Sequence, residues 1–139
     1  MQDTTVNKGM NIGRIVQIIG AVLDVKFAEG AMPNLYNALE ITMGDQLIVA
    51  EVAQHLGGGV VRCISMESTD GLTRGMPCVD TGQPIAVPVG PATLGRMFNV
   101  IGKAIDGKPD PEVEEKWPIH RPAPTFAEQA SATEMFETG

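Results

Sequence analysis

One short stretch of the sequence has the residue types and spacing of a phosphate-binding loop. Residues 89–97 read VGPATLGRM, in which two glycines separated by four residues are followed by Arg96 and Met97. In a nucleotide-binding phosphate loop the second glycine is followed by Lys and then by Ser or Thr, whose hydroxyl binds magnesium. Met97 has no hydroxyl, and Pro91 lacks a backbone N–H that could hold a phosphate. The sequence therefore predicts that this stretch only resembles a phosphate loop.

The cysteines and histidines are not spaced as metal ligands. Cys63 and Cys78 lie outside any CxxC motif, and His55 and His120 are far apart without a ligand-spaced partner. This pattern predicts no zinc site. No secretory signal precedes the cysteines, and two are too few for a disulfide framework, so we expect reduced, structural thiols.

The remaining charged residues suggest no catalytic centre. Asp106, Asp110 and the run EVEE at 112–115 could form a carboxylate cluster, but no histidine accompanies them and such runs usually lie in solvent. Three arginines on separate predicted strand segments are expected to form ion pairs on an outer face: Arg14, Arg62 and Arg74. We therefore predict no catalytic, cofactor-binding or metal-binding residue in this chain.

The composition limits the class of protein. With 139 residues, 43% of them hydrophobic, the chain is long enough for one modest domain or for a small domain with part of another. A formal charge of -7 disfavours a general nucleic-acid surface, and 4% aromatic residues offer no obvious stacking platform for single strands. The longest apolar stretch, IVQIIGAVL from Ile15, is shorter than the roughly 20 residues of a transmembrane helix. We expect no membrane insertion and no secretory or transit signal.

The first half of the chain is patterned as strands. In LDVKF, Leu23, Val25 and Phe27 alternate with Asp24 and Lys26, which predicts a strand with the first three residues inward and the last two in solvent. Similar short runs are separated by three turn signals, namely TMGD, the glycines 57–59 and TGQ. Six short strands at this spacing predict a small closed barrel.

The second half changes character near Pro84. Nine of the ten prolines lie at or after Pro77, which excludes continuous helix over most of this region. Within TLGRMFNVIGKAID the helical spacing of four apolar residues predicts one short helix with an apolar face: Leu94, Met97, Phe98 and Ile101.

Four motifs in this order resemble the N-terminal part of the catalytic beta subunit of the rotary proton-translocating ATP synthase of bacteria. They are GRIVQIIGAVLDVKF, TDGLTRGMPCVDTGQPIAVPVG, TLGRMFNVIGKAIDG and WPIHRPAPTFAEQ, and the resemblance covers residues 10–139. Its specificity comes from the order and spacing of four separate motifs. Ala104 stands where the family commonly has Pro, and Thr73 where Val is frequent.

The resemblance implies an organisation for the chain. A flexible tail at 1–8 would precede a six-stranded barrel at 9–83, and 84–139 would begin an α/β nucleotide-binding domain that stops before the phosphate loop. The fold class would be mainly β, with a closed barrel followed by this incomplete α/β start.

The resemblance also implies a function. In the family such barrels join alternating alpha and beta subunits into a ring, and the full-length subunit also contacts the gamma subunit, binds ATP or ADP with Mg²⁺, and synthesises ATP coupled to proton flow. The complex lies peripherally at the cytoplasmic face of the bacterial inner membrane. This chain alone would hold no cofactor.

Two other interpretations stay open at this stage. The chain could be a free-standing small barrel that binds a ligand, or part of a related hexameric ATPase subunit, such as the alpha partner or a flagellar export ATPase. The low basic charge and few aromatic residues disfavour the first. The motif TDGLTRGM more closely resembles the beta type.

Overall fold

The computed structural model describes residues 10–129. Eight β-strands follow one another along the chain: β1 Asn11–Ile19, β2 Val22–Lys26, β3 Asn37–Met43, β4 Gln46–Gly57, β5 Val60–Ser65, β6 Pro77–Pro84, β7 Ala86–Val89 and β8 Glu115–Pro118. Helical structure in this part of the chain is limited to two 3₁₀ turns at Pro91–Thr93 and Phe126–Glu128. The predicted tail at 1–8 and the predicted end at 130–139 lie outside the described residues.

The first six strands close into a barrel in the order β1-β2-β5-β4-β3-β6. Every pairing is antiparallel, and β6 completes the ring by pairing with β1 on one side and β3 on the other. Closure leaves no exposed sheet edge, which is how a sheet this small avoids pairing with other chains. The predicted mainly β class and the six-stranded closed barrel are confirmed.

The barrel interior is apolar and is filled from alternate positions of the strands. Leu23, Val25 and Phe27 are buried there, as predicted, against residues such as Ile41 and Val61. A side-chain period of two puts each neighbouring residue on the outer face. The strand pattern therefore predicted the register correctly.

Glycines form the reversal between β4 and β5, as the sequence indicated. Gly58 and Gly59 both have positive φ, and at Gly59 a Cβ atom would lie 2.5 Å from the carbonyl oxygen of Phe27. The Phe27 amide in turn donates to the Gly59 carbonyl at 2.8 Å. Gly59 therefore meets both a conformational and a steric requirement. The hairpin predicted at TMGD also forms, between β3 and β4.

The turn predicted at TGQ is wrong. Strand β6 continues through these residues from Pro77 to Pro84, and a bulge opposite Asn37–Leu39 takes up the irregularity. Gly82 has a φ of 76°, and the Thr81 hydroxyl donates to the Ala38 carbonyl at 2.8 Å. The local turn signal was overridden because β6 must span both β1 and β3 to close the barrel.

The helix predicted from Leu94 to Ile101 is also wrong. Phe98 pairs with Ala104 in an isolated antiparallel bridge, and the Asn99 amide donates to the Lys103 carbonyl at 2.9 Å. The apolar spacing does not produce a helix because the chain reverses direction here. The apolar side chains therefore do not share one face. Leu94 and Met97 are exposed, whereas Ile101 packs on a small cluster beside the barrel.

Strands β7 and β8 form a separate two-stranded antiparallel ribbon, here called the β7–β8 ribbon. It follows the barrel directly through Ile85, which is buried with Ala38 and Val49 in the small cluster. Ile101 and Met66 pack against that cluster. The ribbon thus lies against the outside of β3 and β4, and the start of an α/β domain in this region stays a prediction.

Candidate functional site

The stretch that resembles a phosphate loop is a tight turn after β7. Pro91–Thr93 form a 3₁₀ turn, and the Thr93 amide and hydroxyl both donate to the Gly90 carbonyl, at 3.1 and 2.7 Å. The Leu94 and Arg96 amides donate to the Pro91 and Thr93 carbonyls, each at 3.2 Å. These amides therefore point into the turn, whereas a phosphate cradle needs several amides that point together at the ligand.

Arg96, the only basic side chain in that stretch, is held by an ion pair. Its guanidinium donates to both carboxylate oxygens of Asp106, at 2.6 and 3.2 Å, and to the Pro109 carbonyl. The hydrogen bonds from Arg96 hold the pKa of Asp106 well below its usual range, although burial opposes them, and the Lys108 and Met97 amides also donate to this carboxylate. The same contact raises the pKa of Arg96. The pair pins the two ends of the loop between residues 96 and 109 together.

The expectation of a solvated acidic run holds only in part. Asp106 is largely buried by Arg96, and Asp110 accepts a hydrogen bond from the Ala104 amide at 2.8 Å. Glu112 and Glu114 are exposed, as is Glu115, whose carboxylate accepts from the Trp117 indole at 2.6 Å. The two aspartates are thus structural side chains of the loop. Their structural role has no signal in the sequence pattern because their partners lie in the same irregular segment.

The three arginines of the barrel have different environments. Arg62 on β5 forms a two-point ion pair with Asp24 on the neighbouring strand, at 2.9 and 3.0 Å. Arg14 instead donates to the Gly75 carbonyl at 3.0 Å. Within residues 10–129, Arg62 is the one member of the trio with a carboxylate partner within 4.0 Å, so the ion pairs predicted for Arg14 and Arg74 do not form among these residues.

Asp24 is buried, contrary to the expectation that it lies in solvent. It points outward, as the register requires, but only 5% of the residue is exposed because Arg62 covers it. Lys26, two residues further along the strand, is exposed as predicted. The alternating pattern of a strand predicts on which face a side chain lies. Whether that side chain is exposed to water also depends on long side chains beside it on the same face.

The thiols lie in the barrel interior as free cysteines. Cys63 and Cys78 are fully buried, and burial raises the pKa of each to about 12. A thiol with such a pKa stays protonated near neutral pH and is a poor nucleophile or metal ligand. The prediction of reduced structural cysteines is confirmed.

The histidines are each engaged with a different part of the chain. His55 Nε2 lies 2.7 Å from the Pro33 carbonyl oxygen, and His120 Nε2 lies 2.9 Å from a carboxylate oxygen of Glu51. Across residues 10–129, no three His, Cys, Asp or Glu side chains are placed to hold a metal ion together. None of the helices formed by these residues is long and apolar enough to span a membrane.

The outer face of the barrel carries a strip of apolar side chains. Ile19, Val22 and Ile64 face one another across β1, β2 and β5 in the pairing register. Ile19 is 59% and Ile64 46% exposed. This strip was not among the features predicted from the sequence, although the alternation in VVRCIS, with Val61 and Cys63 inward, assigns Ile64 to the outside. An exposed apolar strip on a barrel can pack against another protein.

A cleft of about 510 Å³ separates the barrel from the β7–β8 ribbon. Glu40 and Val49 line it from the barrel, and Lys103 and Lys116 from the other side. It is widely open and is lined by both apolar and charged side chains, which is typical of a surface between two packed units.

Comparison with known families identifies the barrel. Residues 15–82 match the family model described as ATP synthase alpha/beta family, beta-barrel domain. The match begins at Ile15 in β1 and ends at Gly82 in β6, so it spans the six strands that close into the barrel. A barrel domain of the ATP synthase alpha/beta family is therefore present in this chain.

Proposed function

We propose that this chain, in which a barrel domain of the ATP synthase alpha/beta family is present, is the N-terminal part of the catalytic beta subunit of a bacterial rotary ATP synthase. One observation carries the proposal: the residues that match the family, 15–82, are those that form the closed barrel. The proposed role of the barrel is assembly, through contacts with alpha-subunit barrels in an alternating hexameric ring.

The choice of the beta type depends on sequence motifs. TDGLTRGM at 69–76 resembles the beta subunit more closely than the alpha subunit or an export ATPase. In the structure Leu72 from this segment is buried in the barrel interior, and the Gly75 amide donates to the Ile15 carbonyl at 2.7 Å. The motif thus has a structural role at the barrel, which is compatible with a family-specific difference there.

The activity of the parent subunit is part of the same proposal. The full-length subunit would bind ATP or ADP with Mg²⁺, contact the gamma subunit and make ATP from ADP and phosphate, coupled to proton flow. It would act at the cytoplasmic face of the inner membrane without entering the bilayer. Residues 84–129 would then be lead-in structure to the nucleotide-binding domain.

The outer surface of the barrel supports an assembly role over nucleic-acid binding. The apolar strip of Ile19, Val22 and Ile64 offers a protein-binding surface, and the net charge of -7 disfavours a polyanion. Beside the strip, the Arg62 guanidinium already forms an ion pair with Asp24.

Reconstitution of the ring tests the proposal. The full-length subunit is mixed with the alpha subunit of the same ATP synthase, and hexamer formation is measured by sedimentation velocity and nucleotide hydrolysis. We expect a 1:1 hexamer, weakened by Ile64→Glu and unaffected by Lys108→Glu, which also places a carboxylate at an exposed position but lies outside the barrel. Failure to form any mixed assembly, together with tight binding of a single-stranded oligonucleotide, would favour the free-standing binding module instead.

A further inference from the structure

Tyr36 has a backbone conformation that its residue type disfavours. It is the one non-glycine residue within 10–129 with a positive φ, at 70°. It is the third residue of the turn Asn34–Asn37, in which the Asn37 amide donates to the Asn34 carbonyl at 3.2 Å. A turn that needs positive φ at its third residue normally has Gly or Asn there, because a bulky side chain is strained.

The strained backbone is held to the barrel, and its ring reaches a distant segment. The Tyr36 amide donates to the Val52 carbonyl of β4 at 2.8 Å. Its ring stacks on the imidazole of His120, with centroids 4.3 Å apart and planes 27° apart. Tyr36 belongs to the barrel, whereas His120 follows the last strand of the ribbon, so the stack joins two parts of the fold.

His120 is also bound to the barrel at a second point. Its Nε2 lies 2.9 Å from a carboxylate oxygen of Glu51, whose side chain is largely buried on β4. Next to it the Ile119 amide donates to the Ile85 carbonyl at 2.9 Å, at the junction between barrel and ribbon. The imidazole therefore lies between a carboxylate and an aromatic ring that both come from the barrel.

We propose that Tyr36, Glu51 and His120 form a latch that fastens the end of the β7–β8 ribbon to the barrel. Glycine at position 36 would remove the backbone strain, but it would also remove the ring on which His120 stacks. A strained backbone conformation persists only where the surrounding structure imposes it. The latch sets how the segment after β8 leaves the barrel, and releasing it frees that segment without unfolding the barrel. This inference does not depend on which subunit type the chain represents.

Hydrogen exchange of the 139-residue chain tests the latch. The Ile119 amide reports the junction, and the Val52 and Cys63 amides report the barrel. We expect Tyr36→Gly and His120→Ala each to speed exchange at Ile119 by about two- to tenfold, the range that loss of an aromatic pair gives. Exchange at Val52 and Cys63 stays unchanged or slows in Tyr36→Gly, because that variant also relieves strain in the barrel.

Leu35→Gly is the matched control, since it removes an exposed side chain from the same turn without relieving a positive φ. It should leave Ile119 exchange unchanged. If Tyr36→Gly does not fold, His120→Ala, at an exposed position, still tests the latch. Unchanged Ile119 exchange in His120→Ala, or an equal acceleration at Ile119 and Val52, would overturn the latch.

Discussion

The guanidinium of Arg62 lies across the carboxylate of Asp24 on the outside of the barrel, with two nitrogens 2.9 and 3.0 Å from its two oxygens. The two residues face each other on the adjacent strands β2 and β5. Arg62 is 41% exposed at its side chain, whereas Asp24 is nearly covered, so the arginine shields a carboxylate that would otherwise face water. This two-point geometry is the strong form of an ion pair.

Removing the arginine should destabilise the barrel more than removing one that forms no ion pair within residues 10–129. We expect Arg62→Gln to lower the urea midpoint because Asp24 loses two charged hydrogen bonds. Arg74→Gln, at an exposed position, is the control and should leave the midpoint unchanged. In the double variant Asp24→Asn with Arg62→Gln the loss should be smaller than the sum of the single losses. Additive losses would show that the pair does not act as a unit.

The barrel interior should hold most of the stability of the chain. Leu23 is fully buried in the core, so Leu23→Ala should lower the free energy of unfolding by roughly 2–5 kcal/mol. Glu114→Gln, at an exposed position after the barrel, should scarcely change it. Chemical denaturation of the two variants measures both values. Equal losses would contradict a division of the chain into a stable barrel and a weaker second part.

The sequence predicted the barrel well because its strands are specified by local pattern. Alternation at Leu23, Val25 and Phe27 fixed the inward face, and glycines at a reversal fixed the β4–β5 hairpin. What failed depends on contacts between distant residues. Strand β6 passes through TGQ because two strands require it, and Asp24 is covered because Arg62, distant in sequence, lies over it.

The second part of the chain was harder to predict for a physical reason. The apolar spacing from Leu94 to Ile101 matches a helix, but the segment is organised by polar contacts that periodicity does not report. Arg96 binds Asp106, and the Asn99 side chain accepts from the Lys103 amide at 2.9 Å. The candidate latch has no sequence signal at all, because Tyr36 and His120 are distant along the chain and meet only in the fold.

Two neighbouring glycines should differ sharply in their tolerance of alanine. Gly58 and Gly59 both have positive φ, but a Cβ atom at Gly58 would meet open space. Gly58→Ala should cost roughly 1–2 kcal/mol of stability from backbone strain alone. Gly59→Ala should add about 1–3 kcal/mol because the Phe27 carbonyl must shift. Thermal and urea unfolding give the comparison, and equal costs would contradict the close approach at Gly59.

The buried thiols should make the protein less stable at alkaline pH. Burial raises the pKa of Cys63 and Cys78 from 9.0 to about 12, so the folded chain keeps both protons over a range in which the unfolded chain loses them. The unfolded state then binds fewer protons, and stability falls as the pH rises from about 9 toward 12, by about 1.4 kcal/mol per pH unit for each thiol.

Urea unfolding between pH 8 and pH 11 measures this slope. The double variant Cys63→Ala with Cys78→Ala should flatten it, whatever its stability at pH 8. Thiol reagents should label neither cysteine of the folded protein near neutral pH and both after unfolding. An unchanged slope in the variant would assign the alkaline loss to other groups.

The ion pair between Arg96 and Asp106 should resist acid. The pKa of Asp106 lies well below its usual range, so the folded form holds the carboxylate ionised where the unfolded form gains a proton. The stabilisation is present above the ordinary pKa of 3.8 and is lost only as the pH falls below it, through the lowered value. Amide shifts of Met97 and Lys108, whose N–H groups donate to Asp106, follow this loss by NMR. A transition at pH 4 or above would contradict the ion-pair geometry.

The chain of 139 residues should not bind nucleotide tightly. Phosphoryl chemistry needs loop amides, a lysine, a magnesium-binding hydroxyl and a residue that orients water, all placed around the phosphates. In the stretch that comes nearest to this set, the Thr93 hydroxyl donates to the Gly90 carbonyl and the Arg96 guanidinium is bound to Asp106. A phosphate would have to break that ion pair on an acidic chain, which favours only weak, salt-sensitive binding.

Calorimetric titration with magnesium and ATP should therefore show no saturable heat in the micromolar range. Arg96→Ala should leave that result unchanged while it loosens the loop between residues 96 and 109, which the Met97 and Lys108 amide signals report. Lys108→Ala, a basic side chain in the same loop whose ammonium is exposed, is the matched control and should change neither the ATP titration nor the Met97 amide signal. If ATP bound tightly, and Arg96→Ala abolished that binding whereas Lys108→Ala did not, VGPATLGRM would be a true phosphate site. Only a residue that contacts the phosphates would make the two variants differ in ATP binding.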